Sequence, residues 1–197
     1  MKNFTLKSFL TSNLDIDENE ILSIQKRCKV KEYSKDALLL GNNQHVGQTF
    51  FVEEGLLRQY TTDEKGREFI MQFAPEGWFI TDFVSTDVNV PLRYYIQALE
   101  PTRISFVDEE FINNMRSLPP VLNDFNHIML YNQINFLQAR VEMLLSKSAA
   151  ERYLHFIKTY PDILMRVPQT MVASYLGITP ESLSRVRCDL AKKNCRN

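Results

Sequence analysis

The stretch VASYLGITPESLSRVR, residues 172–187, predicts two short helices joined by a tight turn. The first helix is expected over residues 169–176 and the second from residue 180 to about residue 192. Gly177 permits the sharp reversal, and Thr179 is a good N-cap for the second helix. The proline that follows suits the first helical position. This spacing is typical of a helix-turn-helix.

In a helix-turn-helix, the N-terminal turns of the second helix enter the major groove of DNA. Glu181 can accept from cytosine N4, and Arg185 can bond guanine O6 and N7 together. Cations farther along the helix and a glutamine at the start of the first helix suit phosphates. The predicted DNA-binding residues are Gln169, Thr179, Glu181, Ser182, Ser184, Arg185, Arg187, Lys192 and Lys193. The alternative is an amphipathic helix pair with a solvated polar face.

Charge is unevenly distributed along the 197 residues, although the net charge is only −1. After Lys147 there are eight Lys and Arg against four acids, which leaves the tail at +4 and the preceding residues at −5. A local basic region is therefore compatible with a nearly neutral chain. No apolar run approaches the roughly 18 residues that span a bilayer, and the start lacks a signal-peptide pattern. These patterns predict a cytoplasmic protein with no membrane partner.

The segment from residue 30 to residue 107 predicts an antiparallel β-sandwich or barrel. Short β-like runs recur at about ten-residue intervals, broken by Gly, Pro, Asp and Asn. Gly55 and Gly66 lie where hairpin turns need a residue that tolerates positive φ. The residues before this segment, through about Lys29, show helical spacing.

After the β segment the pattern returns to helix, and Pro119-Pro120 is followed by a run without Gly or Pro, of which about the first 28 residues are typical of one long helix. One apolar row alternates steps of three and four, as in a coiled-coil seam. This row, which we predict to be a dimer interface, consists of Leu122, Phe125, Met129, Asn132, Phe136, Ala139 and Met143. A second row includes Ile128, Ile134, Leu137, Val141, Leu144 and Leu145. A helix that is apolar on two sides needs two partners, here the β domain and a second protomer.

The whole chain resembles the Crp/Fnr family of bacterial transcription regulators. Residues 172–187 are similar to the recognition motif of that family, and residues 51–60 and 64–80 are similar to its β-roll hairpins. The resemblance implies an α+β fold: a jelly-roll-like β-roll with flanking helices over residues 1–118, a dimerisation helix over 119–147 and a winged-helix-like DNA-binding domain over 148–197. Since only AKKNCRN follows residue 190, the wing is expected to be truncated.

The resemblance also implies an effector site between the β-roll and the long helix. Nucleotide-binding members carry Gly-Glu and then Arg-Ser-Ala, where this chain has Thr81-Asp82 and Arg93-Tyr94-Tyr95. The tyrosines fill volume that small side chains leave open, so we expect an effector other than cyclic AMP. The candidate ligand-binding residues are Thr81, Asp82, Arg93, Tyr94, Tyr95 and Asn132. The asparagine lies on the seam, where it could instead set the register between two copies.

Other chemistries have weak support in the sequence, and no cofactor is predicted. The cysteines, Cys28, Cys188 and Cys195, form neither a CxxC nor the N-terminal cluster of an iron–sulfur sensor. A metal-dependent cupin would need clustered His and carboxylate ligands, and the β segment offers only His45. The predicted partners are operator DNA, a second copy, RNA polymerase and an unknown small molecule. The competing function is a ligand-binding or scaffold module whose C-terminal helices bind a protein.

Overall fold

The computed structural model describes residues 4–15, 17–40, 49–81, 94–107 and 120–194. The chain divides into two compact units. The first consists of residues 1–67 and 71–129, and the second of residues 68–70 and 130–197. The division at 129/130 falls inside the long helix, whereas the sequence-based boundaries lie at its two ends.

Two helices precede the β-strands, as the spacing of apolar residues predicts. Helix α1 spans Leu6–Asn13 and begins at Thr5, whose hydroxyl accepts from the N–H of Ser8 at 3.1 Å. Helix α2 spans Glu18–Arg27 and begins at Asp17, which forms a reciprocal capping box with Glu20. Both caps satisfy backbone N–H groups that have no partner within the helix.

In the part of the chain that the structure describes, eight strands form two four-stranded sheets. The strands are β1 Lys29–Tyr33, β2 Leu38–Leu40, β3 Thr49–Glu54, β4 Leu57–Thr62, β5 Glu68–Ala74, β6 Phe79–Thr81, β7 Tyr95–Ala98 and β8 Thr102–Val107. One sheet has the order β1-β8-β3-β6 and the other β2-β7-β4-β5. The pairs β1–β8, β2–β7, β3–β6, β3–β8 and β4–β7 are antiparallel. An antiparallel β-sandwich is therefore confirmed.

The sandwich core lies between the inward faces of the two sheets. Alternate residues of β3 show the division, because Phe50 and Val52 belong to this core while Phe51 faces the N-terminal helices. Phe51 contacts Phe9 of α1 and Phe79 of β6, with ring centroids 5.3 and 4.8 Å apart. The period of two in β3 thus gives one strand two apolar faces, one for each layer.

Glu53 joins α1 to the strands beneath it. Its Oε1 accepts from the N–H of Leu6 at 3.2 Å and from the hydroxyl of Ser105 at 2.6 Å. Its Oε2 lies 3.3 Å from Nε of Arg103. A carboxylate at the first turn of a helix also complements the helix dipole. One side chain therefore fixes the helix entry to β3 and β8.

Within the described residues, five helices follow the strands. Helix α3 spans Pro120–Ser146, α4 Ala149–Thr159, α5 Ile163–Arg166, α6 Gln169–Leu176 and α7 Pro180–Asn194. The second unit has its own core, in which Phe156, Tyr160 and Tyr175 form an aromatic cluster with centroids 5.2 to 5.7 Å apart. Val172, Leu176 and Leu183 are buried. The pattern of a sandwich followed by a long helix and short helices matches the predicted order.

Candidate nucleic-acid interface

The turn between α6 and α7 has the geometry that the sequence predicts. Gly177 adopts φ 64° and ψ 37°, the left-handed conformation that glycine enters without steric cost. Its N–H donates to the carbonyls of Ala173 and Ser174, and the N–H of Ile178 donates to Ala173 at 3.0 Å. These bonds satisfy the last carbonyls of α6 in a Schellman arrangement.

Helix α7 is anchored at its start and on its inner side. The hydroxyl of Thr179 accepts from the N–H of Ser182 at 3.2 Å, and the carbonyl of Thr179 accepts from Leu183 at 3.0 Å. Leu183 is buried, while Glu181 and Arg185 are exposed. Thr179 therefore acts as the predicted N-cap, and the first two turns of α7 present polar side chains outward.

The exposed side of these turns carries a hydrogen-bond acceptor, the carboxylate of Glu181, and a set of donors, the guanidinium of Arg185. The pKa of Glu181 lies below its usual range because its own backbone N–H and the Thr179 hydroxyl donate to the carboxylate, with a further contribution from the charge of Arg185. A carboxylate that stays ionised is a pure acceptor, as cytosine N4 requires. Nη2 of Arg185 donates to the hydroxyl of Ser182 at 3.2 Å, which leaves guanidinium donors for a base edge.

The remaining predicted DNA-binding residues lie on the same two helices. Ser184, Arg187, Lys192 and Lys193 are exposed on α7, and Ser182 is half-buried. Gln169 is exposed at the first position of α6. Helix α6 begins after Pro168 with no side-chain cap among the described residues, so a phosphate oxygen could accept from its first N–H groups. The structure therefore brings the predicted set together on one helix-turn-helix.

The predicted dimer seam on α3 is only partly exposed. Met143 is buried within its own chain, at 7% exposure. Met129 and Phe136 are half-buried, while Asn132 and Ala139 are exposed. Leu122 and Phe125 lie in α3, but their side chains fall outside the described part of the structure.

The second apolar row of α3 is the more exposed one. Ile134, Leu137 and Val141 are 52%, 44% and 55% exposed, and Leu145 is 83% exposed. With Gln138, Glu142 and Ser146 they line an open groove along the helix. Leu130, Ile134, Leu137, Val141 and Leu144 also alternate steps of four and three. An exposed heptad seam thus exists beside the predicted one.

The predicted effector residues are only partly described. Asp82 and Arg93 lie outside the described residues. Thr81 ends β6, with its hydroxyl 3.2 Å from that of Thr49. The ring of Tyr95 stacks on Tyr60 at 5.1 Å, and Tyr94 is exposed. Asn132 is exposed on α3.

Sequence reasoning missed Arg140, a cation on the long apolar helix. Its guanidinium lies 3.8 Å from the ring centroid of Tyr175, and its Nη2 donates to the Tyr175 carbonyl at 2.7 Å. Nη2 also lies 3.2 Å from the carbonyl of Ile70, a residue of the same compact unit. The available signal was a lone arginine among apolar residues. Its acceptors are backbone carbonyls, however, which no sequence pattern reveals.

Within the described ranges, no group of three His, Cys, Asp or Glu side chains is placed to hold a metal ion. None of the helices in the described part of the chain combines the length and the apolar character needed to cross a membrane.

A β-sandwich, a long helix and a C-terminal helix-turn-helix together define the architecture of the Crp/Fnr transcription regulators. FixK2 from Bradyrhizobium japonicum superposes with a TM-score of 0.72 at 19% identity, covering 85% of this chain and 86% of that one. A CooA mutant from Carboxydothermus hydrogenoformans superposes with a TM-score of 0.68 at 22% identity, covering 92% and 87%. The chain has the Crp/Fnr fold, which confirms the predicted resemblance.

Sequence comparison finds distant relatives of the same kind. The "Anaerobic regulatory protein" of Pasteurella multocida is 23% identical over 175 residues, which are 82% of this chain and 63% of that protein. The "Regulatory protein HlyX" of Actinobacillus pleuropneumoniae is 20% identical over 185 residues, 87% of this chain and 75% of that protein. No family model matches the chain.

Proposed function

We propose that this chain is a cytoplasmic, sequence-specific DNA-binding transcription regulator that acts as a homodimer. The single observation that carries the proposal is the outward presentation of Glu181 and Arg185 on the first two turns of α7, directly after the Gly177 turn. An ionised carboxylate and a guanidinium one turn apart can read cytosine and guanine edges in the major groove. The +4 charge of the tail supports attraction to the phosphate backbone.

Two copies are required because one short recognition helix reaches only a few base pairs. Helix-turn-helix dimers bind two half-sites about one helical turn apart, and the protein's two-fold axis is matched by a palindromic operator. The exposed seam of Leu130, Ile134, Leu137, Val141 and Leu144 supports pairing of α3 with its copy. We therefore propose that the dimer contact lies on this row rather than on the row that contains Met143.

The regulator would respond to a small molecule through its β-roll. Distant relatives named "Anaerobic regulatory protein" favour a signal linked to anaerobic conditions. This chain carries one cysteine, Cys28, before residue 188, which does not supply the ligands of an iron–sulfur cluster. We propose an effector that is neither a cluster nor cyclic AMP, and RNA polymerase as a further partner at the promoter.

The proposal is tested by selecting bound duplexes from a random pool with the full-length protein. We expect a roughly palindromic site whose binding weakens as salt is raised. Arg185→Ala should then lower affinity for that site by about 10- to 100-fold and relax the preference at one base pair in each half.

The matched control is Lys193→Ala, which removes one charge from the far end of the same helix. It should weaken binding to selected and random duplexes equally. The slope of the logarithm of the binding constant against the logarithm of salt concentration should also become shallower by about 1. If Arg185→Ala behaves in this same uniform way, Arg185 does not read a base. If no duplex is enriched by the wild-type protein, the proposed function is wrong.

A further inference from the structure

Arg140 lies on α3 two turns before the helix ends, where its side chain reaches the first helix of the helix-turn-helix. Its neighbours Leu137, Val141 and Leu144 are apolar, and they form the exposed seam. The arginine is half-buried and turns toward α6 instead. One helix thus carries, on adjacent strips, a surface suited to a second copy and a contact with the helix-turn-helix of α6 and α7, which we call the DNA-binding head.

The contact between Arg140 and α6 combines three interactions on one residue. Nη2 donates to the carbonyl of Tyr175 at 2.7 Å, a short charge-assisted bond. The guanidinium also lies 3.8 Å from the Tyr175 ring centroid, which is a close cation–π distance. Tyr175 is in the last turn of α6, where carbonyls lack helical partners and the helix dipole favours a cation. The arginine therefore supplies a bond that the helix end requires.

A second residue of α3 approaches the same region. A Cβ added at Gly177 would lie 3.4 Å from Cδ2 of Leu144 and 3.6 Å from Nη1 of Arg152. Leu144 is one turn beyond Arg140 on α3, and Arg152 belongs to α4. The end of α6 and the turn that leads into α7 are thus held by α3 and α4 together.

The arginine has no acidic counter-ion in this contact. The described residues include no ion pair to Arg140, and its buried Nη1 has no hydrogen-bond partner among them. A lysine could supply the charge but not the planar guanidinium face that lies over the Tyr175 ring. The geometry therefore depends on arginine and not on positive charge alone.

We propose that Arg140 is a positioning residue for DNA recognition. It fixes the helix-turn-helix on the dimer helix, and it thereby sets the spacing between the two recognition helices of a homodimer. This inference rests on the proposed function. The affinity of such a dimer for DNA depends on how well the distance between its two recognition helices matches the distance between the two half-sites. A rigid head favours one spacing, whereas a loosened head tolerates several and binds the best one less tightly.

The test compares full-length wild type with Arg140→Gln and Arg140→Lys on three duplexes: the site selected from a random pool, the same site lengthened by two base pairs at its centre, and a single half-site. The wild type should prefer the selected spacing by about tenfold or more. In both variants we expect this preference to fall to about threefold or less, because the head can then reorient. Affinity for the single half-site should be unchanged.

The control is Lys147→Gln, which removes an exposed charge just beyond the end of α3 and should retain the wild-type preference. A readout without DNA uses Cys188, which is exposed on α7, as the spin-label site in a Cys28→Ser, Cys195→Ser background. Pulsed electron spin resonance on the dimer should give a broader Cys188–Cys188 distance distribution in Arg140→Gln than in the wild type.

The outcomes separate the two proposals. If the wild type selects a site and both Arg140 variants keep its spacing preference and the narrow distance distribution, the positioning role is refuted while the regulator remains. If single half-site affinity falls as much as affinity for the full site, Arg140 serves only the stability of the head, which also refutes the role. If the wild type enriches no DNA, both proposals fail.

Discussion

The homodimer proposed above, paired through the exposed apolar row of α3, predicts that Leu137→Glu converts the protein to a monomer. Ile134, Leu137, Val141 and Leu144 are 52%, 44%, 55% and 39% exposed, so about half of each side chain remains in water. Burying the remaining half of an aliphatic side chain contributes about 1 kcal/mol, or about 8 kcal/mol for four residues on each of two protomers. This gain is opposed by an association cost of about 4 kcal/mol or more. The net free energy of dimerisation is therefore small compared with the free energy needed to bury a charge.

Glutamate at position 137 removes apolar contact and brings two carboxylates to the two-fold axis. Desolvation costs several kcal/mol for each ion, so we expect the dimer dissociation constant to rise by about 10³-fold or more. Sedimentation equilibrium over a range of protein concentrations measures this shift. The control is Ala139→Glu, which places the same charge on the exposed part of the other row. If Ala139→Glu dissociates the dimer and Leu137→Glu does not, our choice of row is wrong.

Three further predictions concern stability, each measured by urea unfolding. Gly55→Ala should lower the free energy of unfolding by about 3 kcal/mol or more, because φ is +94° and the new Cβ would lie 2.5 Å from Oγ1 of Thr102. Gly66→Ala should lower it by about 1 kcal/mol, because φ is +73° but nothing lies within 4 Å of the new Cβ. Equal losses would contradict the clash. Glu53→Gln should cost about 2 kcal/mol, since the buried carboxylate accepts charge-assisted bonds, and an unchanged midpoint would contradict this. The pKa of Glu151 is lowered by bonds from Ser148, so its contribution is present above its ordinary pKa of 4.5 and is lost as pH falls through the lower folded value. Glu151→Gln should therefore destabilise the protein at pH 7 but not at pH 2, whereas an equal loss at both would refute the linkage.

The helix-turn-helix could be predicted from sequence because local chemistry determines it. Gly177 at positive φ, Thr179 at the N-cap and Pro180 at the first helical position act within a few residues of one another. The hairpin glycines belong to the same class, and Gly55 and Gly66 do adopt positive φ. Such features depend on backbone conformation and not on distant packing.

For the long helix α3, the sequence does not determine which apolar row is covered by the rest of the chain. Both apolar rows of α3 alternate steps of three and four, so periodicity cannot decide which row faces the chain's own core. Met143 is buried and Val141 is half exposed, since residues two positions apart lie on different sides of a helix. Which row is covered depends on where the rest of the chain packs, and this information is tertiary. The hydrogen-bond acceptors of Arg140 cannot be predicted from sequence either, because they are backbone carbonyls and every residue has one.

The arrangement of α3 explains how a regulator with a small reading surface could be specific. In the proposed dimer, each helix-turn-helix would offer Glu181 and Arg185 for base contacts, and one good pair of contacts discriminates by only about 1 to 3 kcal/mol. Two heads on rigid supports combine their contacts and add a requirement for spacing, which a single head cannot impose. In this chain the support is the short span of α3 that includes both the exposed seam and Arg140. Any signal that loosens this span would lower specificity without altering a residue that contacts DNA.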